Sequence, residues 1–354
     1  MIDSLIIQEH NYVINKYMVK YKHYCVILLY NNYIIKMFIL SSIYKIISSD
    51  NPNLFFLKWV LIIAITLLLV MLSKHMMKNK NKNKEGFTQN EPFVFKQNDS
   101  AFDSFYADIY DSLHDTKQRS QKELIKIIEM TEPSSENSTF LDVGSGTGYV
   151  VNELNMAGYE AYGIDKSKEM LKYAQISYPE SEFVYGDVLD SMKFEKGTFT
   201  HILCTYFTIY SIDNKEQFFQ NCYHWMKPNT YLVLHLVDTD NFTNIIPHKD
   251  TFNENKQIGS RRTVITEAMF SDYGYKCSCE IPKKNDSKSS LLKETFIDIE
   301  TNNIRQNEFK LHMESMDTIL NIANKNGFIE KGKVNINDEN GDNNQFLYIL
   351  ERPL

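Results

Sequence analysis

No two cysteines in this 354-residue chain have the paired spacing of a zinc site. Cys25, Cys204, Cys222, Cys277 and Cys279 are scattered, which reads as reduced thiols rather than a disulfide framework. Cys277 and Cys279 would share one face of a strand. No metal is expected. Arginine is absent from residues 1–84, where 11 lysines face 3 acids for a net charge of +8; the rest carries −15 of the total of −7. That larger part has no basic surplus to neutralise phosphates, so no nucleic-acid partner is expected. No internal repeat is present. What remains is a chain with 43% hydrophobic and 23% charged residues, enough for a full core and for one large domain plus extras.

The basic N-terminal part explains its own charge. LFFLKWVLIIAITLLLVML, residues 54–72, is interrupted only by Lys58 and is long enough for roughly one bilayer core at about 1.5 Å per residue. Pro52 bounds the run, Trp59 suits an interface, and KHMMKNKNKNK follows. A single transmembrane helix is expected over 54–72, with 1–53 unassigned and 73–98 a Lys/Asn-rich linker. Lys74, Lys78, Lys80, Lys82 and Lys84 put the C-terminal side in the cytosol under the positive-inside bias. CVILLYNNYIIKMFIL, broken by Asn31, Asn32 and Lys36, leaves a second span open, and the C-terminal domain faces the cytosol either way.

From residue 99 onward strand and helix patterns alternate. FLDV, YEAYGID, EFVYGD, THILCTY and YLVLHLVD read as strands; YVVNELNMAG, SKEMLKYAQIS and NKEQFFQNCYHWMKP read as helices. The pattern predicts an α/β fold with a doubly wound, largely parallel sheet, whose ligand lies beyond the carboxyl ends of the strands. Residues 250–312 break the alternation. TVITEAMF, YKCSCEI, LLKETFIDIE and NEFKLHME read as an antiparallel β insert.

The first strand runs into GSGTG, with Gly144, Gly146 and Gly148 at every second position and Ser145 between the first two. A dinucleotide fingerprint needs its third glycine where Tyr149 stands, and no phosphate-loop lysine follows. Alternate glycines still let backbone approach a ligand closely at positive φ. The spacing argues against a nicotinamide-dependent oxidoreductase.

LDVGSGTG, the acid Asp165 closing the second strand, and YGDVLD after the third resemble the successive motifs of class I S-adenosylmethionine-dependent methyltransferases, over residues 99–354. MKPNTYLVLH is similar to that family's Lys-Pro-Gly-Gly turn, with Asn229 and Thr230 in place of the glycines. MDTILNIANKNGF resembles its last helix, and QFLYILERP its final strand, which the family inserts antiparallel. The resemblance implies a seven-stranded Rossmann-like sheet and S-adenosyl-L-methionine as cofactor. It implies that Asp165 accepts from the ribose diol and Asp187 from the adenine amino group, with the Val188 backbone beside the ring. Asp142 would position the loop and reach the methionine amino group.

AFDSFYADIYDSLHDTKQRSQKELIKIIE resembles the N-terminal lid helices of small-molecule methyltransferases, the sugar-amine and glycine N-methyltransferase types in particular. Tyr106 and Tyr110 share a helix face there and could close over a sulfonium; packing of the lid onto the sheet is the alternative, for them and for His114. After the fourth strand, CTYFTIYSI lacks the Asn-Pro-Pro-Tyr element and the Pro-Cys pair that this family uses on nucleobases. Tyr206, Tyr210 and His235 remain as acceptor-pocket candidates, His235 either as a proton acceptor or as a satisfied core residue. No catalytic residue is assigned. The expectation is a membrane-anchored methyltransferase acting on a small amine or hydroxyl compound, its insert covering the acceptor site or forming a homodimer contact. A protein or lipid acceptor at the membrane, and a catalytically idle methyltransferase-like interaction protein, are the competing readings.

Overall fold

Two sheets carry the architecture seen in the computed structural model, which describes residues 91–243, 252–258, 261–282, 289–336 and 342–354, together with Trp59, Val60, Ile63, Thr66, Leu67 and Met71. The chain divides into Met1–Lys84 and Glu85–Leu354. In the first unit the six described residues are all helical. Trp59, Val60, Ile63, Leu67 and Met71 are exposed. Among the described residues no helix is long and apolar enough to cross a membrane; most of the apolar run 54–72 lies outside them.

The second unit contains β1 (Phe93–Gln97), α1 (Ser104–Leu113), α2 (Thr116–Thr131), β2 (Thr139–Val143), α3 (Tyr149–Met156), β3 (Glu160–Asp165), α4 (Lys168–Ser177) and β4 (Glu182–Tyr185). It continues with β5 (Phe199–Cys204), α5 (Thr208–Ser211), α6 (Lys215–Trp225), β6 (Met226–Val237) and five insert strands, β7 (Phe252–Ile258), β8 (Arg261–Met269), β9 (Tyr273–Pro282), β10 (Ser290–Asp298) and β11 (Ile304–Leu311). It closes with α7 (Met316–Lys325), β12 (Ile329–Asn335) and β13 (Gln345–Arg352).

The main sheet has seven strands in the order β12-β13-β6-β5-β2-β3-β4. Strands β2 to β6 pair in parallel, whereas β13 runs antiparallel to both β6 and β12. The chain-order reversal between β5 and β3 falls at β2, so a crevice opens at its carboxyl end. All five residues of β2 are buried, as expected of a parallel strand covered on both faces. Helix starts follow local chemistry: the side chains of Asp103, Ser167, Asn214 and Ser315 each accept a first-turn backbone N–H, worth about 1 kcal/mol apiece. Asn229 takes φ +58° in the turn where the related motif has glycine, a conformation asparagine tolerates better than most residues.

The insert is larger than its sequence suggests. It is six-stranded, in the order β1-β11-β10-β9-β8-β7. Strand β7 is polar enough to read as loop, and β1 comes from the stretch read as linker. Phe93–Gln97 pair in parallel with Ile304–Glu308, so the linker reading of 73–98 runs past the start of structure. Thr266, Cys277 and Cys279 face inward with Glu294 and Phe296. This inner face packs on aromatic residues of α1: Phe105 and Tyr106 both meet Phe296 edge-on. Arg305 ties the two together, donating to both Asp103 carboxylate oxygens at 3.0 Å, to Ala101 O at 3.1 Å and to Asn307 Oδ1 at 3.0 Å.

Candidate active site

The turn after β2 is built on left-handed backbone. Gly144, Gly146 and Gly148 have φ of +70°, +53° and +84°, which accounts for glycine at every second position. The Gly144 and Ser145 amides donate to Ile164 O at 2.8 and 3.1 Å, folding the loop back over the tip of β3. Close packing adds a second reason at Gly148, where a Cβ would stand 2.5 Å from Phe183 Cζ. Gly163 beneath the loop is required for the same reason, since a Cβ there would meet Ser145 Oγ at 2.6 Å.

A cavity opens on this turn. Its wall includes Asp142, Gly144, Ser145 and Gly146 from the β2 end, Tyr110, Thr116, Arg119 and Ser120 from α1 and α2, and Thr205, Tyr206 and Thr208 from the β5 end. Burial pushes the Asp142 carboxyl up to about 8, with Asp165 and Glu123 adding to the rise and Arg119 opposing it. Arg119 is held between Glu123, whose carboxylate oxygens lie at 3.4 and 3.5 Å, and the face of Tyr206, 3.7 Å from the guanidinium carbon. Ser120 Oγ, Ser145 Oγ and Arg119 Nε are buried with no hydrogen-bond partner. Unsatisfied donors on a cavity wall are costly unless a ligand meets them.

Asp165 reaches the same loop. Its Oδ2 accepts from Gly146 N at 2.9 Å and its Oδ1 from Ser167 N at 2.8 Å, and the Lys166 backbone N–H adds to these bonds. Desolvation raises its carboxyl above the usual range. Asp187 is exposed at the tip of β4, its carboxylate accepting from Leu189 N at 2.9 Å. The buried Val188 beside it fixes the turn by accepting from Asn221 Nδ2 at 2.8 Å.

The acceptor-side candidates separate. Tyr110 and Tyr206 line the cavity. Tyr106 is buried behind them and joins a hydrogen-bonded chain: Tyr206 Oη to His114 Nδ1 at 2.8 Å, His114 Nε2 to Tyr106 Oη at 3.3 Å, and Tyr106 Oη to Glu294 Oε1 at 3.0 Å. Tyr210 is fully buried and accepts from Val237 N at 2.8 Å. His235 is a satisfied core residue: Nδ1 accepts from Phe207 N at 3.1 Å, which leaves Nε2–H to donate to Gln345 Oε1 at 3.1 Å. Both nitrogens are occupied and burial lowers its pKa to about 3, so it is no proton acceptor for the cavity. Cys204 is a buried strand residue.

Two residues went unnoticed in the sequence. Arg119 is the single arginine of the first 260 residues, a signal that was available. Glu294 sits in an ordinary alternating strand, and nothing local marks it.

Residues 141–234, from β2 into β6, match a family profile described as a methyltransferase domain. Over 113 residues the chain is 27% identical to methyltransferase 235L of Invertebrate iridescent virus 6, a name that is itself provisional; the match covers 31% of this chain and 42% of that one. Over 118 residues it is 30% identical to the phosphoethanolamine N-methyltransferase of Plasmodium falciparum, covering 32% and 42%. The chain thus spans less than half the length of these curated relatives. The fold is that of the CcbJ methyltransferase from Streptomyces caelestis, aligned over 73% of this chain and 100% of that one with a TM-score of 0.56 and 12% identity. Over residues 141–234 the chain is therefore similar to a methyltransferase domain, and its fold is that of a methyltransferase.

Proposed function

We propose that the whole chain is a membrane-anchored methyltransferase acting on a small amine or hydroxyl compound in the cytosol. The cavity over the glycine turn carries this reading: its lining suits the amino-acid end of the cofactor, and Asp165 and the Asp187–Val188 turn, outside that lining, stand at the next two strand ends. Asp142 offers a carboxylate to an ammonium. Arg119 and the unpartnered hydroxyls of Ser120 and Ser145 offer cationic and neutral donors to a carboxylate. Asp165 offers a carboxylate at the tip of β3 for a diol, and the Asp187–Val188 turn lies one strand further along for the adenine. S-adenosylmethionine, when bound, supplies an electrophilic methyl group whose transfer needs little covalent help. The residues' task is to align the partners and exclude water, and the aromatic lid of α1 suits that.

The acceptor class rests on three supports. The domain is acidic, the nucleobase elements are missing, and one relative is named for an amine substrate. The anchor rests on the apolar run 54–72 and on the exposed apolar side chains of its described helical residues. The lysines after it favour the cytosolic side, where S-adenosylmethionine is made. Calorimetry of the full chain with S-adenosylmethionine and S-adenosylhomocysteine tests the cofactor reading. A screen of phosphoethanolamine, amino-sugars, membrane lipids and lysate protein with methyl-labelled cofactor tests the acceptor. Transfer to protein alone would displace the small-molecule reading.

A further inference from the structure

The hydrogen-bonded chain behind the cavity has a direction. Glu294 lies on the inner face of the insert sheet, 1% exposed, and takes three donors: Tyr275 Oη at 2.8 Å and Tyr106 Oη at 3.0 Å on Oε1, and Asn307 Nδ2 at 3.2 Å on Oε2. Three donors suit an ionised carboxylate, which can only accept. Tyr106 spends its one proton on Glu294, so it must accept from His114 Nε2–H. His114 Nδ1 then carries the lone pair, and Tyr206 O–H donates to it. The carboxylate thereby sets the imidazole tautomer two residues away and orients a phenol on the cavity wall.

We propose that Glu294 is the terminal proton acceptor for a cationic amine substrate, reached from the cavity through Tyr206, His114 and Tyr106. This rests on the amine-acceptor reading above. The step moves one proton at each link. The substrate ammonium gives a proton to Tyr206 Oη as Tyr206 passes its own to His114 Nδ1. His114 releases its Nε2 proton to Tyr106 Oη, and Tyr106 passes its proton to Glu294 Oε1. The amine keeps its N–H bonding pair as a free lone pair, Glu294 becomes neutral, and no imidazolium persists. After product leaves, the proton returns along the same path to water entering the cavity, which restores the His114 tautomer and the Glu294 carboxylate.

The surroundings favour a carboxylate that takes up a proton readily. The groups facing Glu294 are Tyr106 and Tyr110 from α1, Tyr273, Tyr275 and Cys277 from β9, and Asn307 and Arg305 from β11, with Arg305 engaged by Asp103. Burial raises the Glu294 carboxyl; the bonds from Tyr275, Asn307 and Tyr106, and the Arg305 charge, oppose the rise without cancelling it. His114 faces Arg119 as well as the two tyrosines; burial and that charge hold it neutral, lowered to about 3.

Infrared titration of the full chain tests the proposal without turnover. The expected result is a carboxylic-acid carbonyl band, absent from Glu294→Gln, that persists above the ordinary glutamate midpoint of about 4.3. A Glu294 band that vanishes at the ordinary midpoint overturns the proposal. Kinetics with phosphoethanolamine as acceptor probe supply the second readout. Glu294→Gln and Tyr106→Phe should each lower kcat on the order of 100- to 10,000-fold and remove the rise of activity with pH, with KM and S-adenosylhomocysteine affinity held. Tyr106→Phe keeps the ring, so a folding loss in one variant does not decide the matter. Rates within about threefold of the unaltered protein, with the pH profile intact, overturn it. If the unaltered protein binds cofactor but leaves phosphoethanolamine unmethylated, the choice of acceptor falls, and the infrared midpoint still decides Glu294.

Discussion

Cofactor affinity should rise steeply with pH because of Asp142. Its carboxyl is buried at the carboxyl end of β2 and raised to about 8, chiefly by desolvation, with Asp165 and Glu123 adding to the rise against the opposing charge of Arg119. If the ammonium end of the cofactor needs the ionised carboxylate, the binding-competent fraction is about 1% at pH 6 and about half at pH 8, so affinity should differ by roughly 50-fold between them. Calorimetric titration of S-adenosylhomocysteine into the full chain at pH 6, 7 and 8 measures this. Repeating it in buffers of different ionisation enthalpy should show nearly one proton released per ligand bound at pH 6. Asp142→Asn cannot ionise, and its affinity should be flat over the same range. Affinities at pH 6 and 8 that agree within about twofold, or a slope that survives in Asp142→Asn, would refute the reasoning.

The same carboxyl fixes the sign of a stability effect in the ligand-free chain. Its folded value lies above its unfolded one, so the native state binds the proton more tightly. Its contribution is fully present below the ordinary value of 3.8 and is lost as pH rises through about 8. The whole span corresponds to an upper bound of about 6 kcal/mol. Ligand binding should remove most of that loss, because an ammonium partner favours the ionised form.

Gly148→Ala should destabilise the domain by about 2–5 kcal/mol, from left-handed backbone at φ +84° and a Cβ 2.5 Å from Phe183 Cζ. Chemical denaturation reads it directly, and a loss under about 1 kcal/mol would mean that the turn relaxes freely. His235→Ala should cost about 1–3 kcal/mol by leaving the Phe207 amide without its acceptor, and should weaken S-adenosylhomocysteine binding through Tyr206. Unchanged stability would show that the bond carries nothing. Asn98-Asp-Ser, Asn137-Ser-Thr, Asn241-Phe-Thr and Asn285-Asp-Ser match the glycosylation acceptor pattern; Asn98, Asn137 and Asn241 are exposed, and Asn285 lies outside the described residues. Full-length chain expressed in a eukaryotic cell should nonetheless carry no glycan, and a glycosidase-sensitive mass shift would reverse the proposed topology.

The glycine turn and the strand tip beside it were legible because their determinants are local. A glycine at positive φ, an acid ending a strand and a serine capping the next helix each declare themselves within a few residues, and β2, β3 and β4 bring them together in chain order. Gly144, Gly146, Gly148, Asp165 and Ser167 all behave this way. Arg119 was missed because an (i, i+4) pair with Glu123 on a charged helix looks like surface chemistry, although the Glu123 side chain is buried and that of Arg119 is only 10% exposed. The acceptor side depends on which strand of the insert meets which face of α1. The Tyr106–Glu294 bond joins residues 188 apart in sequence, and the parallel pairing of β1 with β11 is equally remote. Alternation alone assigns a residue to a face; it does not assign the partner across it.

The backbone after β5 shows how these two sides are joined. Tyr206 and Phe207 stand in succession at φ +42° and +60°, conformations that cost a non-glycine residue on the order of 1–3 kcal/mol each. Such a pair persists only where bonds on both flanks hold it. The Phe207 amide is held by His235, itself fixed by Gln345 on β13, and the Tyr206 hydroxyl is held by His114 on the lid. His235 therefore has a use that is neither chemistry nor inert filling: from the interior of β6 it fixes the kink that turns Tyr206 toward Arg119 and the cavity. A regular strand exit would direct successive side chains to alternate faces and would not set a phenol between the lid histidine and the guanidinium. The strain thus lies where main sheet, α1 and insert meet, and the contacts that hold the kink also align the Glu294 chain.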